Sequence, residues 1–354
     1  MLSDSAPGRA AAGPAWFRSP RASIARAARI LAGPVLAPSP ASMRRIALAG
    51  VVASAGIILT GAAVRLSQSG LGCPDWPACT AHSIVAGGSS GSTLVHRWIE
   101  FGNRLATGAI LVIAALVSVA AWRFRPGDSD RRRPDLVWLA LAQPAGILAQ
   151  AVLGGIVVLT KLDPVWVSVH FVLSVSLLAL AVALHVKVTE GTAPARPLAR
   201  PDLRALAAAL VAVVAVMLAA GTVVTGTGPL AGARSVARYQ LPLAGVTQLH
   251  ADIGWLLTGL VLALVAGLRF SGAPRQAVRL GWLLLGLIVA QGSAGYTQYF
   301  TGLPAGLVWV HVTGAVLIWI TALRLPFALR DRGPLAGGSP GQAGALGLAR
   351  ARDA

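Results

Sequence analysis

Gln150-Ala-Val-Leu-Gly154-Gly-Ile-Val-Val-Leu-Thr160-Lys-Leu-Asp-Pro164-Val-Trp-Val-Ser-Val-His170 returns, 141 positions later, as Gln291-Gly-Ser-Ala-Gly295-Tyr-Thr-Gln-Tyr-Phe-Thr301-Gly-Leu-Pro304-Ala-Gly-Leu-Val-Trp-Val-His311. The glutamine, the glycine, the threonine and the histidine fall in register without a gap. Each copy reads as an apolar helix, a short break, and a second apolar helix with a histidine near its start. A repeat at fixed offset marks a duplicated unit. In membrane proteins such halves are commonly related by a pseudo-two-fold axis. A weaker echo, at an offset of 160, joins Thr60-Gly61-Ala-Ala-Val64-Arg65 to Ala220-Gly221-Thr-Val-Val224-Thr225. Equivalent histidines in equivalent helices predict two equivalent ligand sites.

The composition is 55% apolar and 12% charged, and many runs reach the roughly 20 residues needed to cross a bilayer. Eight spans are predicted, at about 46–66, 94–122, 135–159, 165–187, 205–225, 247–268, 280–299 and 307–325. The expected fold is an all-α membrane protein: eight transmembrane helices in two pseudo-symmetric four-helix bundles, at 43–190 and 205–326. Residues 1–42 and 331–354 read as flexible tails. The formal charge is +18, and 24 of the 30 Lys and Arg fall in the N-terminal stretch, alternate loops and the C-terminal end. This bias predicts that both termini are cytoplasmic. The charge therefore reports topology and anionic headgroups, which removes nucleic acid as a partner. The cell membrane is the expected location, while a basic, acid-poor N-terminus leaves the mitochondrial inner membrane as an alternative.

The external loop Gly70-Leu-Gly-Cys73-Pro-Asp-Trp-Pro-Ala-Cys79 contains the two cysteines of the chain. Five intervening residues, bent by Pro74 and Pro77, can bring their Cα atoms to roughly 5.5 Å. On the oxidising side of a membrane a disulfide is expected, with two free thiols as the alternative. Metal binding by this pair would have only His82 as a nearby partner. Span two opens His96-Arg-Trp-Ile-Glu100-Phe-Gly-Asn103-Arg104. His96, Glu100 and Asn103 share one helical face, and Arg104 stands four residues after Glu100, within pairing reach. Such a cluster at a membrane helix end is costly unless it faces a cavity or pairs internally. The bland reading is an interfacial cap with snorkelling arginines. His185, beside Lys187, lies about 22 Å down its helix from His170 and reads as interfacial.

His96, His170, His250 and His311 all lie near the external ends of even-numbered spans, one per span. A lone membrane histidine is usually a packing residue. Four at matching depth, two per half, suit axial ligation of haem iron in an apolar slot between helices. Zinc or copper would call for more ligands converging on one point. The expected pairs are His96 with His170 and His250 with His311.

On these motifs the chain resembles the haem A synthase family, eight-helix enzymes that convert haem O to haem A. The resemblance covers about 43–325. It rests on Gly61-Ala-Ala-Val-Arg65, Ser69-Gly-Leu-Gly-Cys-Pro-Asp-Trp-Pro-Ala-Cys79, Ile99-Glu-Phe-Gly-Asn-Arg104, the Gln/Gly/His repeat and Leu249-His250. It implies haem b in the C-terminal half, on His250 and His311, and the substrate haem O in the N-terminal half. It also implies an essential carboxylate at Glu100. One departure stands out: the commoner family pattern on span two is Glu-x-x-His-Arg, and the histidine position is Asn103 here. Either His96 takes over as ligand, the reading preferred on sequence, or His170 is an unpartnered axial ligand. Asn103 and Arg104 then flank the substrate site. The expected reaction is oxidation of a ring methyl to formyl, by successive hydroxylations and loss of water. Catalytic roles fall to Glu100, His96 and His170, with haem a-type oxidase assembly as the context. Expected partners are lipid, haem O, a haem O synthase and an electron donor, and a homo-oligomer is compatible. The rivals are a di-haem electron-transfer protein of the cytochrome b561 type and a haem or small-solute transporter. The second is disfavoured because the polar residues gather at the outer helix ends.

Overall fold

The computed structural model describes residues 33–81, 83–86, 93–126 and 132–335. The expectations for residues 1–32, for His82 and for 336–354 lie outside the described residues. Eight long helices carry the fold: α1 (Pro40–Leu66), α2 (Leu94–Arg123), α3 (Pro134–Leu159), α4 (Pro164–Lys187), α5 (Pro201–Thr227), α6 (Leu243–Phe270), α7 (Arg275–Phe300) and α8 (Ala305–Ala328). All eight are long and apolar enough to cross a membrane. Several begin some residues before the spans read from apolar runs, α1 at Pro40 rather than near 46. Proline explains the difference. It occupies N1 of α1, α3, α4 and α5 and the N-cap of α6, α7 and α8. Its fixed φ suits a helix start, where its missing N–H is not needed. Ser39 and Asp163 add side-chain caps to α1 and α4.

Helices α1 to α4 pack in order and close through α1 on α4. Helices α5 to α8 repeat this, with α5 closing on α8. The halves meet where α4 packs on α8, with α1 on α8 and α5 on α4 as flanking contacts. Exchanging the halves maps one flanking contact onto the other, as a two-fold axis along the helices requires. The largest apolar cluster spans this seam, joining Leu178 and Val182 of α4 to Leu210 and Val214 of α5, Val261 of α6 and Leu325 of α8. The repeated connections share a backbone. Lys161 and Leu162 between α3 and α4 have φ of 54° and 61°, and Gly302 and Leu303 between α7 and α8 have 77° and 60°. Two left-handed residues in succession reverse the chain within a few positions.

Pro144 lies inside α3 and cannot donate to the carbonyl of Ala140. Ser118 of α2 supplies a shared donor from the neighbouring helix, its hydroxyl lying 2.9 Å from that carbonyl and 2.9 Å from the Ala114 carbonyl of its own helix. At the end where α1 begins and α8 finishes, Arg133 bonds Asp135 and the Glu190 carbonyl. There Arg196–Pro197 (β1) pairs antiparallel with Arg330–Asp331 (β2), and Arg330 meets Glu190 at 2.8 Å. This short strap ties the connection between the halves to the segment after α8.

Candidate functional site

The repeated histidines sit in repeated surroundings. The Nε2 amide of Gln150 donates to the His170 carbonyl at 3.0 Å, and that of Gln291 to the His311 carbonyl at 2.8 Å. Each imidazole lies against a glycine. Measured from where a Cβ would stand, His170 Cε1 is 3.4 Å from Gly154, and His311 Cε1 is 3.3 Å from Gly295. His250 has the same support from Gly221, at 3.3 Å. Any side chain at these glycines would crowd the ring. In all three histidines Nδ1 is buried without a hydrogen-bond partner. The Cε1–Nδ1 edge of each ring is the one turned to the glycine, which leaves Nε2 as the nitrogen facing away from that support.

His250 and His311 face one another, with ring centroids 6.4 Å apart and planes at 53°. An imidazole nitrogen binds a first-row metal at about 2 Å, and the ring centre lies roughly 1.1 Å further out. Two axial rings on one iron therefore put their centroids about 6.3 Å apart. The pair in the C-terminal half meets that requirement. It is also a pair and nothing more: among the described residues no group of three or more His, Cys, Asp or Glu could hold a metal ion. The residues present fit an axially ligated haem.

The N-terminal half is built differently. Cys73 and Cys79 form a disulfide, and both are fully buried. The loop they close is clasped from α2. Glu100, only 5% exposed, accepts the Cys73 N–H on Oε2 at 2.8 Å and Arg104 on Oε1 at 2.6 Å. Arg104 also donates to the carbonyls of Cys73, Asp75 and Ala78, at 2.8 to 3.0 Å. Trp76 lies flat against Gly155 of α3, where a Cβ would stand 2.6 Å from the indole. That brings the loop beside Gly154, the support of His170. A second loop joins the first: Gly70 N–H bonds the Gly232 carbonyl at 3.1 Å, and Arg65 bonds the Leu230 carbonyl at 3.0 Å.

The structure thus gathers Glu100, Arg104 and the cysteines into one clasp, and His250 and His311 into one pair. Among the described residues no ring contact joins His96 to His170. His96 Nδ1 lies 3.1 Å from the Gln68 carbonyl, under the loop, with the His96 carbonyl hard against Gly72. Asn103 Oδ1 instead meets the hydroxyl of Thr60 at 2.8 Å. Sequence alone assigns no role to Thr60, Gln68 or Trp76: Thr60 is marked only by its echo in Ala220, Trp76 only by its place in the cysteine loop, and Gln68 by nothing. His185 sits in the last turn of α4, away from both sites.

Eight spans in two fused four-helix bundles, each with a histidine-bearing inter-helix site at the cysteine-loop end, define a duplicated polytopic membrane protein. The chain belongs to the COX15-CtaA family of cytochrome oxidase assembly proteins, which it matches over residues 44–323. It is 27% identical to a heme A synthase of Shewanella oneidensis over 323 residues, covering 77% of this chain and 92% of that one. It is also 31% identical over 107 residues to a heme A synthase of Geobacillus thermodenitrificans, a match that spans only 30% of either chain. The resemblance carried by the cysteine loop and the span-two motif is borne out by these matches.

Proposed function

We propose that this chain makes haem A from haem O in the membrane, in support of terminal oxidase assembly. The observation that carries the reading is the pair of imidazoles 6.4 Å apart in one half, repeated as a single glycine-backed His170 in the other. Family membership points the same way. His250 and His311 would hold haem b through their Nε2 atoms, and that group, when bound, supplies electron relay to the other half. His170 holds the substrate haem O. Both termini lie in the cytoplasm, which puts the two sites at the outer end of the bundle.

In net terms the substrate's methyl carbon loses four electrons and gains one oxygen atom. Two successive hydroxylations, each inserting one oxygen atom of O2 and reducing the other to water with two protons and two relayed electrons, give the geminal diol. Loss of water from it leaves the formyl group. The chain's own part is to position the reacting edge and keep it from bulk water. The disulfide-closed loop, clasped by Glu100 and Arg104 and wedged by Trp76 against α3, covers the N-terminal site. Glu100 holds that loop from α2, its carboxylate charge balanced by Arg104.

Expression in membranes that contain haem O, followed by chromatography and mass analysis of extracted pigments, tests the reading. Haem A, with or without the hydroxylated intermediate, is expected beside haem B. Haem B alone, with haem O untouched, would instead mark a di-haem electron carrier.

A further inference from the structure

We propose that the N-terminal half holds its haem through His170 alone, with Asn103 and Thr60 forming a polar wall that does not ligate. This inference rests on the haem-binding reading above and assigns the position left open by the missing family histidine.

The two halves can be compared at one glycine. Gly221 of α5 backs the ring of His250. Its counterpart in the repeat is Gly61 of α1, and a Cβ at Gly61 would meet nothing within 4 Å. The notch that an imidazole fills in one half is open in the other. What stands beside it is Asn103, tied to the neighbouring Thr60 at 2.8 Å. Asn103 is thus the α2 side chain next to the notch, held on Thr60 and not within 4 Å of where a Gly61 Cβ would stand, so it does not fill the place that His250 fills against Gly221. The bond to Asn103 is the shorter of the two contacts of Thr60, the other being the Ile57 carbonyl at 3.2 Å, so the hydroxyl proton goes to Oδ1. With that oxygen engaged, the amide presents Nδ2, which donates hydrogen bonds and has no lone pair for a metal. Imidazole suits iron, whereas a neutral carboxamide is a poor substitute.

His96 is the other candidate on α2, seven residues earlier and about 10 Å further toward the loop. Its ring is anchored to Gln68 and its backbone is packed under Gly72. An Nδ1 anchor of this kind can also orient a ligating imidazole, so position decides. His96 belongs to the level of the loop, and Asn103 to the level of the glycine notch. The consequence is a substrate iron with one protein ligand and one open axial position, beside a bis-histidine haem in the other half.

Spin state and carbon monoxide binding read this directly in purified, haem-loaded protein. The haem of the N-terminal half should be high-spin and bind carbon monoxide when reduced, while that of the C-terminal half is low-spin and inert. His96→Ala should leave both signals unchanged, and His170→Ala should remove the high-spin one. Asn103→His should convert it to a low-spin, carbon-monoxide-inert form. Asn103→Leu guards against a packing failure, since it should keep carbon monoxide binding and shift only the C–O stretching frequency. Two low-spin haems in the wild type, with carbon monoxide binding created by His96→Ala, would overturn the assignment in favour of His96. No uptake at all in the N-terminal half on titration with haem O would sink both this inference and the proposed function. A single-histidine haem in protein that makes no haem A would leave this inference standing and remove only the proposed activity.

Discussion

The halves of this protein share a backbone and differ in what they spend their polar side chains on. In the C-terminal half, the polar residues of the site are two histidines, each backed by a glycine. In the N-terminal half one histidine keeps that setting, and α2 commits Glu100 and Arg104 to a disulfide-closed loop, whose counterpart between α5 and α6 has no cysteine. The repeat places a glycine-backed histidine in both halves. One half adds a second histidine facing the first, while the other has an open notch at Gly61 and a disulfide-closed loop. On the proposed function, the half with one histidine and a covering loop is the one that admits and releases substrate.

Four measurements would break or sharpen that contrast. The largest effect is expected at the clamp: His250→Ala or His311→Ala should lower bound haem B by more than about a hundredfold, beyond what loss of an outer partner costs, with the α-helical circular dichroism unchanged. Retention of full haem B content in both variants would end the axial-pair reading. Next is the clasp. Glu100→Gln replaces an acceptor of the Cys73 N–H with an amide, so the loop should shift and haem A formation fall about a hundredfold, as misplacement near a reacting centre commonly costs. Haem B content should not change. Wild-type haem A output from this variant would show that the clasp is dispensable. Third, Cys73→Ser with Cys79→Ser removes a small closed loop, contributing about 2–3 kcal/mol at most. Non-reduced peptide mass analysis should find the disulfide in the native protein. Limited proteolysis should cut the loop in the variant while the helices stay intact. The smallest effect belongs to Ser118→Ala, which leaves the Ala140 carbonyl without its partner across helices. About 1 kcal/mol should be lost in detergent unfolding, with both haem signals in place.

Much of this architecture was legible from sequence, for reasons that can be stated residue by residue. Span number followed from the length of apolar runs, because a bilayer imposes a minimum length. The repeat was visible because Gln150, Gly154 and His170 return at a fixed offset. Helix starts were less legible: periodicity shows where apolar residues begin, whereas Pro40, Pro201 and Pro274 set where helices begin. The disulfide was legible from spacing and side. The work of Glu100 was only half legible. Arg104 lies at the expected i+4 position, but the Cys73 N–H is a backbone group and leaves no mark in sequence. The role of Asn103 needed Gly61 laid against Gly221 in space, although the echo between those two glycines was there to read.

Ser118 does more than repair the notch left by Pro144. It follows Glu100 by 18 residues, which at 3.6 residues per turn is five full turns, so both side chains leave α2 at the same azimuth. The bond from Ser118 to the Ala140 carbonyl therefore fixes the rotational phase of α2 against α3 about 27 Å from the clasp. In a medium without water to satisfy a stray carbonyl, this phase is hard to slip. The carboxylate that reaches Cys73 is aimed from the far end of its own helix.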